Sequence, residues 1–379
     1  MNMRGQLVEK SKGVWMIRIQ RRNADGSRAS SSEIVRGTKT DAHKRLTHKL
    51  REFDTSMAGF QPKQTINEYL DYWLETVAKP RLRKRTFIEY REILRLHVRV
   101  PLGQIQLTEL AAAHVQQLYS KLQTEKHLSA RRVRYVHAIL SSSLRKATEL
   151  DLITRNVAKL VQLPKQVRKE MDVMDNEECQ SFLNALNGER LATMFSFALS
   201  TGLRPGEYLA LQWKDIDLDH GVATVRRAVV RLKGEQWQFT PPKTRGSSRP
   251  ISLPTNLIAE LRNHRRRQQE ERLKLGPAWQ DHDLVFPSEV GTPLTQSNIT
   301  QVYKKVLVRA GLRRTLRLYD LRHTHATLLL TAGIHPKVVS ERLGHSTIAL
   351  TLDIYSHVLP SMQAEAAERL NDILFKRAG

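Results

Sequence analysis

Strand-like and helical spacings of apolar residues alternate in blocks along the chain. Residues 13–20, Gly-Val-Trp-Met-Ile-Arg-Ile-Gln, have strand content, and Asn23-Ala24-Asp25-Gly26 supply turn chemistry before a second extended run through Ser32-Glu33-Ile34-Val35. From Asp41 to Phe53 the period becomes helical through Ala42, Leu46, Leu50 and Phe53, with Lys44, Arg45, Lys49 and Arg51 on other faces. Residues 1–58 therefore read as a small sheet followed by a helix. Residues 55–63, interrupted by Gly59 and Pro62, read as a linker.

From Thr65 the pattern is all helix. Thr65 with Glu68, and Thr86 with Glu89, have capping-box spacing before apolar runs. A later helix from about Ser129 sets Val133, Val136, Leu140 and Leu144 towards a core. This helical domain spans 64–165, and Gln162 to Met171, with Pro164, Lys165, Arg168 and Lys169, reads as a strap to a third domain, 171–379. There Asp175 and Glu178 again have capping spacing, and Pro205 suits a helix start. Arg204 then stands at a helix N-terminus, where main-chain N–H groups and the positive dipole end add to its guanidinium as a phosphate site. Residues 222–231, Gln236-Trp237-Gln238-Phe239 and Arg249-Pro250-Ile251-Ser252-Leu253 predict a β-ribbon with a turn at Lys233-Gly234-Glu235. Beyond it, Gly333 and Gly344 end short helices and Pro336 begins one, a geometry that can fold Arg322, His345 and Tyr355 towards one point. The fold class is multidomain α+β.

Composition narrows the partner. The formal net charge is +24, expected of a chain that binds a polyphosphate. The excess runs along the whole chain rather than along one amphipathic helix, which disfavours an acidic membrane as the target. Within the second domain, exposed faces of successive helices carry Lys79, Arg81, Arg83, Lys84, Arg85, Arg91 and Arg95, then Arg131, Arg132, Arg134, Arg145 and Lys146. Such residues would mostly touch phosphate, although a solvated face is the plainer reading of any one run. No stretch approaches ~18 consecutive apolar residues and the N-terminus lacks an apolar signal region, so a cytoplasmic location is expected. The single Cys179 excludes an internal disulfide framework and sits among apolar positions as a buried small residue.

Three motifs then fall in register: Asp320-Leu321-Arg322-His323-Thr324, Leu343-Gly344-His345-Ser346, and Thr351-Leu352-Asp353-Ile354-Tyr355-Ser356-His357. With Thr201-Gly202-Leu203-Arg204-Pro205-Gly206-Glu207 upstream, they resemble the catalytic boxes of tyrosine recombinases of the phage-integrase type, found in temperate phages and integrative conjugative elements. The resemblance implies an arm-type DNA-binding domain over 1–58, a helical core-binding domain over 64–165, and a mostly helical catalytic domain with a β-ribbon over 171–379. For the first module, a small cap with merely solvated basic residues stays open.

The implied activity is site-specific DNA recombination, integrating and excising a phage or mobile element without metal, ATP or another cofactor. Arg204 and Arg322 would present planar donor forks to the non-bridging oxygens, and Tyr355 would attack to give a 3′-phosphotyrosine and a free 5′-hydroxyl. Pro241-Pro242-Lys243-Thr244-Arg245 resembles the family's hairpin with its catalytic lysine, so Lys243 would protonate the leaving oxygen. His345 would donate a hydrogen bond to the phosphate. Glu207 would orient Arg204, or else be a surface acid at a helix start. Implied partners are double-stranded attachment sites of core and arm type, three further copies in a homotetramer on DNA, and an excisionase or host DNA-bending protein. The apolar stripe Met362, Ala366, Leu370, Ile373 and Leu374 would cover its own domain or a neighbouring protomer.

One position departs from the family pattern. Where a histidine is usual three residues before the second arginine, this chain has Tyr319. A phenol near ~10 is a poor base beside an imidazole near ~6.5, so Tyr319 would only hydrogen-bond the phosphate while water or a neighbour takes the nucleophile's proton. His323 and His325 lie about 200° apart on a helix, too far round to share a metal. A type IB topoisomerase and a non-catalytic DNA-binding regulator on the same scaffold remain the rival readings.

Overall fold

The computed structural model describes residues 4–22, 28–57, 64–166, 171–231, 237–241, 248–355 and 362–375. The chain divides into two compact units, Met1–Arg168 and Lys169–Gly379.

The first unit opens with three antiparallel strands, β1 (Arg4–Ser11), β2 (Val14–Arg22) and β3 (Arg28–Arg36), in the order β1-β2-β3. The weak alternation of β1 marks no strand by itself, and Leu7 gains meaning only by pairing with Ile17. Helix α1 (Lys39–Met57) buries Ala42 and Leu46, and Leu46 packs with Ile17 and Ile19. Arg45 and Lys49 both pair with Glu33 on β3, at 3.0 and 2.5 Å. The expected turn at 23–26 lies outside the described residues, as do 58–63 of the linker.

The same unit continues through α2 (Ile66–Tyr72), a π-helical turn (Trp73–Ala78), α3 (Lys84–His97), α4 (Arg99–Leu102), α5 (Ala112–Thr124) and α6 (Ala130–Glu149). Thr65 caps α2 reciprocally with Glu68, as its spacing predicts. The Thr86–Glu89 box is not formed, because α3 begins three residues earlier, after Arg83 rather than after Thr86, and Thr86 lies within its first turn. On α6, Val133, Val136, Leu140 and Leu144 are all at most 1% exposed. The Tyr69 hydroxyl donates to the Ser143 carbonyl at 2.5 Å, satisfying a buried phenol and tying α2 to α6.

The second unit begins with α7 (Asn176–Asn184), capped by Asp175 and Glu178 as expected, then α8 (Ala192–Thr201) and the short α9 (Pro205–Tyr208). Among the described residues five strands follow: β4 (Ile216–Asp217), β5 (Val222–Val225), β6 (Ala228–Arg231), β7 (Trp237–Thr240) and β8 (Arg249–Ser252). They form two small sheets, β4-β5-β8 and β6-β7, rather than the single ribbon the pattern suggested. The Val-rich run divides at Arg226-Arg227, whose guanidiniums turn to the buried Asp215. Helices α10 (Thr255–Leu275) and α11 (Gln296–Arg309) complete a core in which Phe182, Phe195 and Tyr303 meet at 5.8–6.3 Å between ring centres. Cys179 lies in this core, and burial pushes its thiol up to about 12, so it is no nucleophile at neutral pH.

Last come α12 (Asp320–Thr331), α13 (Pro336–Leu343), α14 (Ile348–Tyr355) and α15 (Met362–Phe375). Ala326, Leu330, Val339, Leu343 and the ring of Tyr355 make a separate small core, so packing of α12 to α14 fixes where the Tyr355 side chain sits. Among the described residues no helix is long and apolar enough to cross a membrane.

Candidate functional site

Arg204 occupies the position its sequence predicts, immediately before α9, with Pro205 starting the helix. Glu207, one turn on, is 6% exposed and binds it twice, accepting from the Arg204 main-chain N–H at 3.0 Å and from Nη1 at 2.9 Å. The surface-acid reading of Glu207 is therefore wrong: α9 turns the side chain inward. A second guanidinium, that of Arg249 on β8, reaches the same carboxylate at 3.2 Å. Burial would raise the Glu207 carboxyl, but the charges of Arg249 and Arg204 and their hydrogen bonds outweigh it and hold the group below its ordinary 4.5.

In the sequence Arg249 reads only as strand content. A signal was present: alternation puts it on the same strand face as Ile251, and both are buried. Its Nε donates to the Arg342 carbonyl at 2.8 Å, joining β8 to the end of α13.

Arg322 on α12 is 2% exposed, and its terminal nitrogens clasp two helix ends, Nη1 donating to the Gly202 carbonyl at 2.8 Å and Nη2 to that of Leu343 at 2.7 Å. Both carbonyls precede or occupy glycine-stopped helix ends, since Gly202 and Gly344 have φ of +64 and +65. Burial, then the nearby charge of Arg204, lowers the guanidinium to about 10. Arg204 Nη2 in turn donates to the Gly344 carbonyl at 3.4 Å. Two guanidiniums are thus held side by side through successive carbonyls of one turn.

Gly202 cannot carry a side chain without disturbing this. A Cβ there would lie 2.5 Å from His325 Cδ2 and 2.9 Å from Leu343 Cδ2, besides being strained at that φ. Gly202→Ala is expected to cost about 3 kcal/mol in urea unfolding and to slow DNA cleavage, by displacing the carbonyl that Arg322 clasps. A variant with unchanged midpoint and cleavage would show that the turn tolerates movement.

His345 follows Gly344 and is half-buried, its Nδ1 2.8 Å from the Thr351 hydroxyl. Burial first, then Arg322, Arg204 and Arg249, lower its imidazole to about 4, so it is neutral at ordinary pH. Tyr355 ends α14 with 1% exposure; burial raises its phenol, against which the charge of Arg322 works. The Tyr355 hydroxyl lies 2.7 Å from Nδ1 of His323. Tyr319 is 41% exposed and meets His323 edge-on, ring centres 5.3 Å apart.

His325, by contrast, faces away into the fold, with Nδ1 2.9 Å from the Leu199 carbonyl and Nε2 accepting from Arg342 Nε at 3.2 Å. The structure thus brings together Arg204, Glu207, Arg322, His345, Tyr355 and Tyr319, and adds Arg249 and His323. Lys243 lies outside the described residues.

The predicted DNA-contact residues belong to the first unit. Arg81, Arg83, Lys84, Arg85, Arg131 and Arg134 are exposed, while Arg132 is half-buried. Arg132 pairs with Glu89 at 3.7 Å and lies over Tyr135, and Arg134 Nη1 donates to the Pro164 carbonyl at 3.0 Å.

This arrangement can be compared with known proteins. The sequence model described as "Phage integrase family" matches residues 172–362, and that described as "Phage integrase, N-terminal SAM-like domain" matches 65–123. A tyrosine recombinase XerC-like protein of Caldanaerobacter subterraneus subsp. tengcongensis is 32% identical over 327 residues, 82% of this chain and 83% of its own. The chain belongs to the phage integrase family of tyrosine recombinases. As a tyrosine-type site-specific recombinase it cuts and rejoins DNA. An integrase of Streptomyces ambofaciens is 30% identical over 353 residues, covering 90% of this chain and 88% of that protein. The ICEBs1 integrase of Bacillus subtilis is 32% identical over 252 residues, 66% and 68% of the two chains. Among solved structures, the Tn1549 transposon integrase in complex with a circular intermediate DNA superposes with a TM-score of 0.70 at 20% identity, over 81% of this chain and 99% of that one. A lambda integrase tetramer bound to a Holliday junction gives 0.56 at 16% identity, over 90% and 95%. At those identities the likeness concerns the phage-integrase fold: helix-rich, with small sheets.

Proposed function

We propose that this recombinase integrates and excises a mobile element through a covalent 3′-phosphotyrosine formed by Tyr355. The convergence of the Arg204 and Arg322 guanidiniums, one turn of chain away from His345 and beside the Tyr355 phenol, carries the reading. In the pentacoordinate transition state charge gathers on the non-bridging oxygens. The N–H donors that Arg204 and Arg322 do not commit to carbonyls would meet it, with no metal required. Neutral His345 has an Nε2 able to donate to the same phosphate. Lys243 would protonate the leaving 5′-oxygen, and Tyr319, exposed at the site's edge, would hydrogen-bond the phosphate. Because Arg322 and Tyr355 are almost wholly covered, DNA must open the site to engage them.

The remaining assignments rest on the same reading. Residues 1–58 would bind arm-type sequence, 64–165 would clamp the core-type duplex through exposed Arg81, Arg83, Lys84, Arg85 and Arg131, and 171–379 would catalyse. A homotetramer on DNA is the working assembly, which the exposure of Leu370, Ile373 and Leu374 on α15, at 54–77%, supports by leaving an apolar stripe for a neighbouring protomer. An excisionase or a host DNA-bending protein would set direction.

The test uses a duplex selected for binding from a randomised pool and nicked just beyond the scissile phosphate, so that the leaving fragment diffuses away. Wild type is expected to give an SDS-resistant protein–DNA adduct and Tyr355→Phe none. Tight binding without an adduct from wild type would favour a DNA-binding regulator instead.

A further inference from the structure

We infer that His323 is the general base for the Tyr355 nucleophile, the hydrogen-bonded pair His323 Nδ1···Oη Tyr355 being the route of the proton. This rests on Tyr355 being the attacking group. The geometry is direct: the two atoms are 2.7 Å apart, on helices α12 and α14 that share one small core, so the hydrogen bond that would carry the proton is already made. With its proton on Nε2, His323 accepts from the phenol.

The role is otherwise unfilled among the described residues at the site. Tyr319 meets the imidazole through its ring edge. His345 turns its Nδ1 to Thr351. The charged and titratable groups facing His323 are Tyr319, Asp320 and Arg322 from its own helix, Arg317 just before it, Tyr355 from α14 and His345 from the turn before α14. Asp320 is engaged by Arg317, at 2.8 Å from Nη2. Burial, with Arg322 and Arg317, outweighs Asp320 and keeps the imidazole below its ordinary 6.5, hence unprotonated and able to accept.

As attack proceeds the Oη–H bond breaks and its proton passes to His323 Nδ1. The Oη–P bond forms while the P–O5′ bond breaks, the 5′-oxygen leaving with a proton from the general acid. In rejoining, the 5′-hydroxyl attacks and gives its proton back to the deprotonated general acid, the O5′–P bond forms while the P–Oη bond breaks, and the His323 imidazolium returns its proton to the phenolate.

The experiment follows single-turnover adduct formation by the full chain on the nicked selected duplex, across pH, for wild type, His323→Asn and His323→Ala. Asn can still hydrogen-bond the phenol but cannot take its proton. Wild type should show a rate that falls on the acid side below 6.5 as the imidazole protonates. His323→Asn should bind DNA and melt like wild type, react about a hundredfold or more slower at neutral pH, and lose that acid limb. His323→Ala should be accelerated by added imidazole. A His323→Asn rate within a few-fold of wild type with the acid limb intact, or an alanine variant indifferent to imidazole, would overturn the assignment and leave His323 a positioning residue. Absence of any adduct from wild type would instead fail the Tyr355 reading, and this one with it.

Discussion

Arg322→Lys is expected to slow adduct formation on the nicked duplex by about a thousandfold while leaving DNA binding within a few-fold. The guanidinium already gives one N–H from each terminal nitrogen to a carbonyl, that of Gly202 and that of Leu343, and has further N–H donors that in the proposed mechanism meet the phosphate. An ammonium at the end of a shorter, non-planar group cannot reach both carbonyls and the phosphate together. One buried carbonyl would lose its partner, at about 1–3 kcal/mol, and the two glycine-ended helices would no longer be tied by one side chain. The charge itself is also at risk. Burial and Arg204 bring even this arginine down to about 10, and a lysine starts from a lower value, so the same surroundings would begin to strip its proton within the working pH range. Single-turnover rates measured against pH would separate the effects. A lysine variant within tenfold of wild type would mean that Arg322 is chiefly a structural clasp.

What the sequence made legible here was local. The helix stops at Gly333 and Gly344, the start at Pro205, and two of three capping boxes depend on residues within one turn, and they stand where spacing put them. The Arg322, His345 and Tyr355 register worked for the same reason, because three short helices in succession leave the chain few ways to fold back. Tertiary pairing was out of reach. Glu207 and Arg249 are 42 residues apart and meet only because β8 pairs with β5, a long-range event that no periodicity encodes. His323 was weighed as a metal ligand, because helical angle tells how it lies relative to His325 and says nothing of Tyr355, 32 residues on. The division of the ribbon into two sheets likewise follows from Arg226 and Arg227 finding a buried aspartate, Asp215, on another element.

The carboxylate that holds the arginines together gives the other large effect. Glu207→Gln is expected to destabilise the protein by about 3–5 kcal/mol at neutral pH and to bring adduct formation close to background. Both carboxylate oxygens are in use, Oε1 accepting from Arg204 Nη1 and Oε2 from the Arg204 main chain and Arg249 Nη2. An amide keeps one acceptor and turns a donor against a donor at the other. It also removes the anion facing Arg204 and Arg249, with Arg322 close enough to feel its charge. Arg249 is 7% exposed and cannot turn to water, so the repulsion falls on the turn that carries Gly344 and His345. The pH dependence distinguishes this from ordinary misfit. The carboxyl is held below 4.5 in the folded state, so its stabilisation is present in full above 4.5 and is lost as pH falls through the folded value. Urea midpoints of wild type and Glu207→Gln should therefore lie far apart at neutral pH and approach each other in acid. A gap that stayed constant through that range would assign the loss to packing alone.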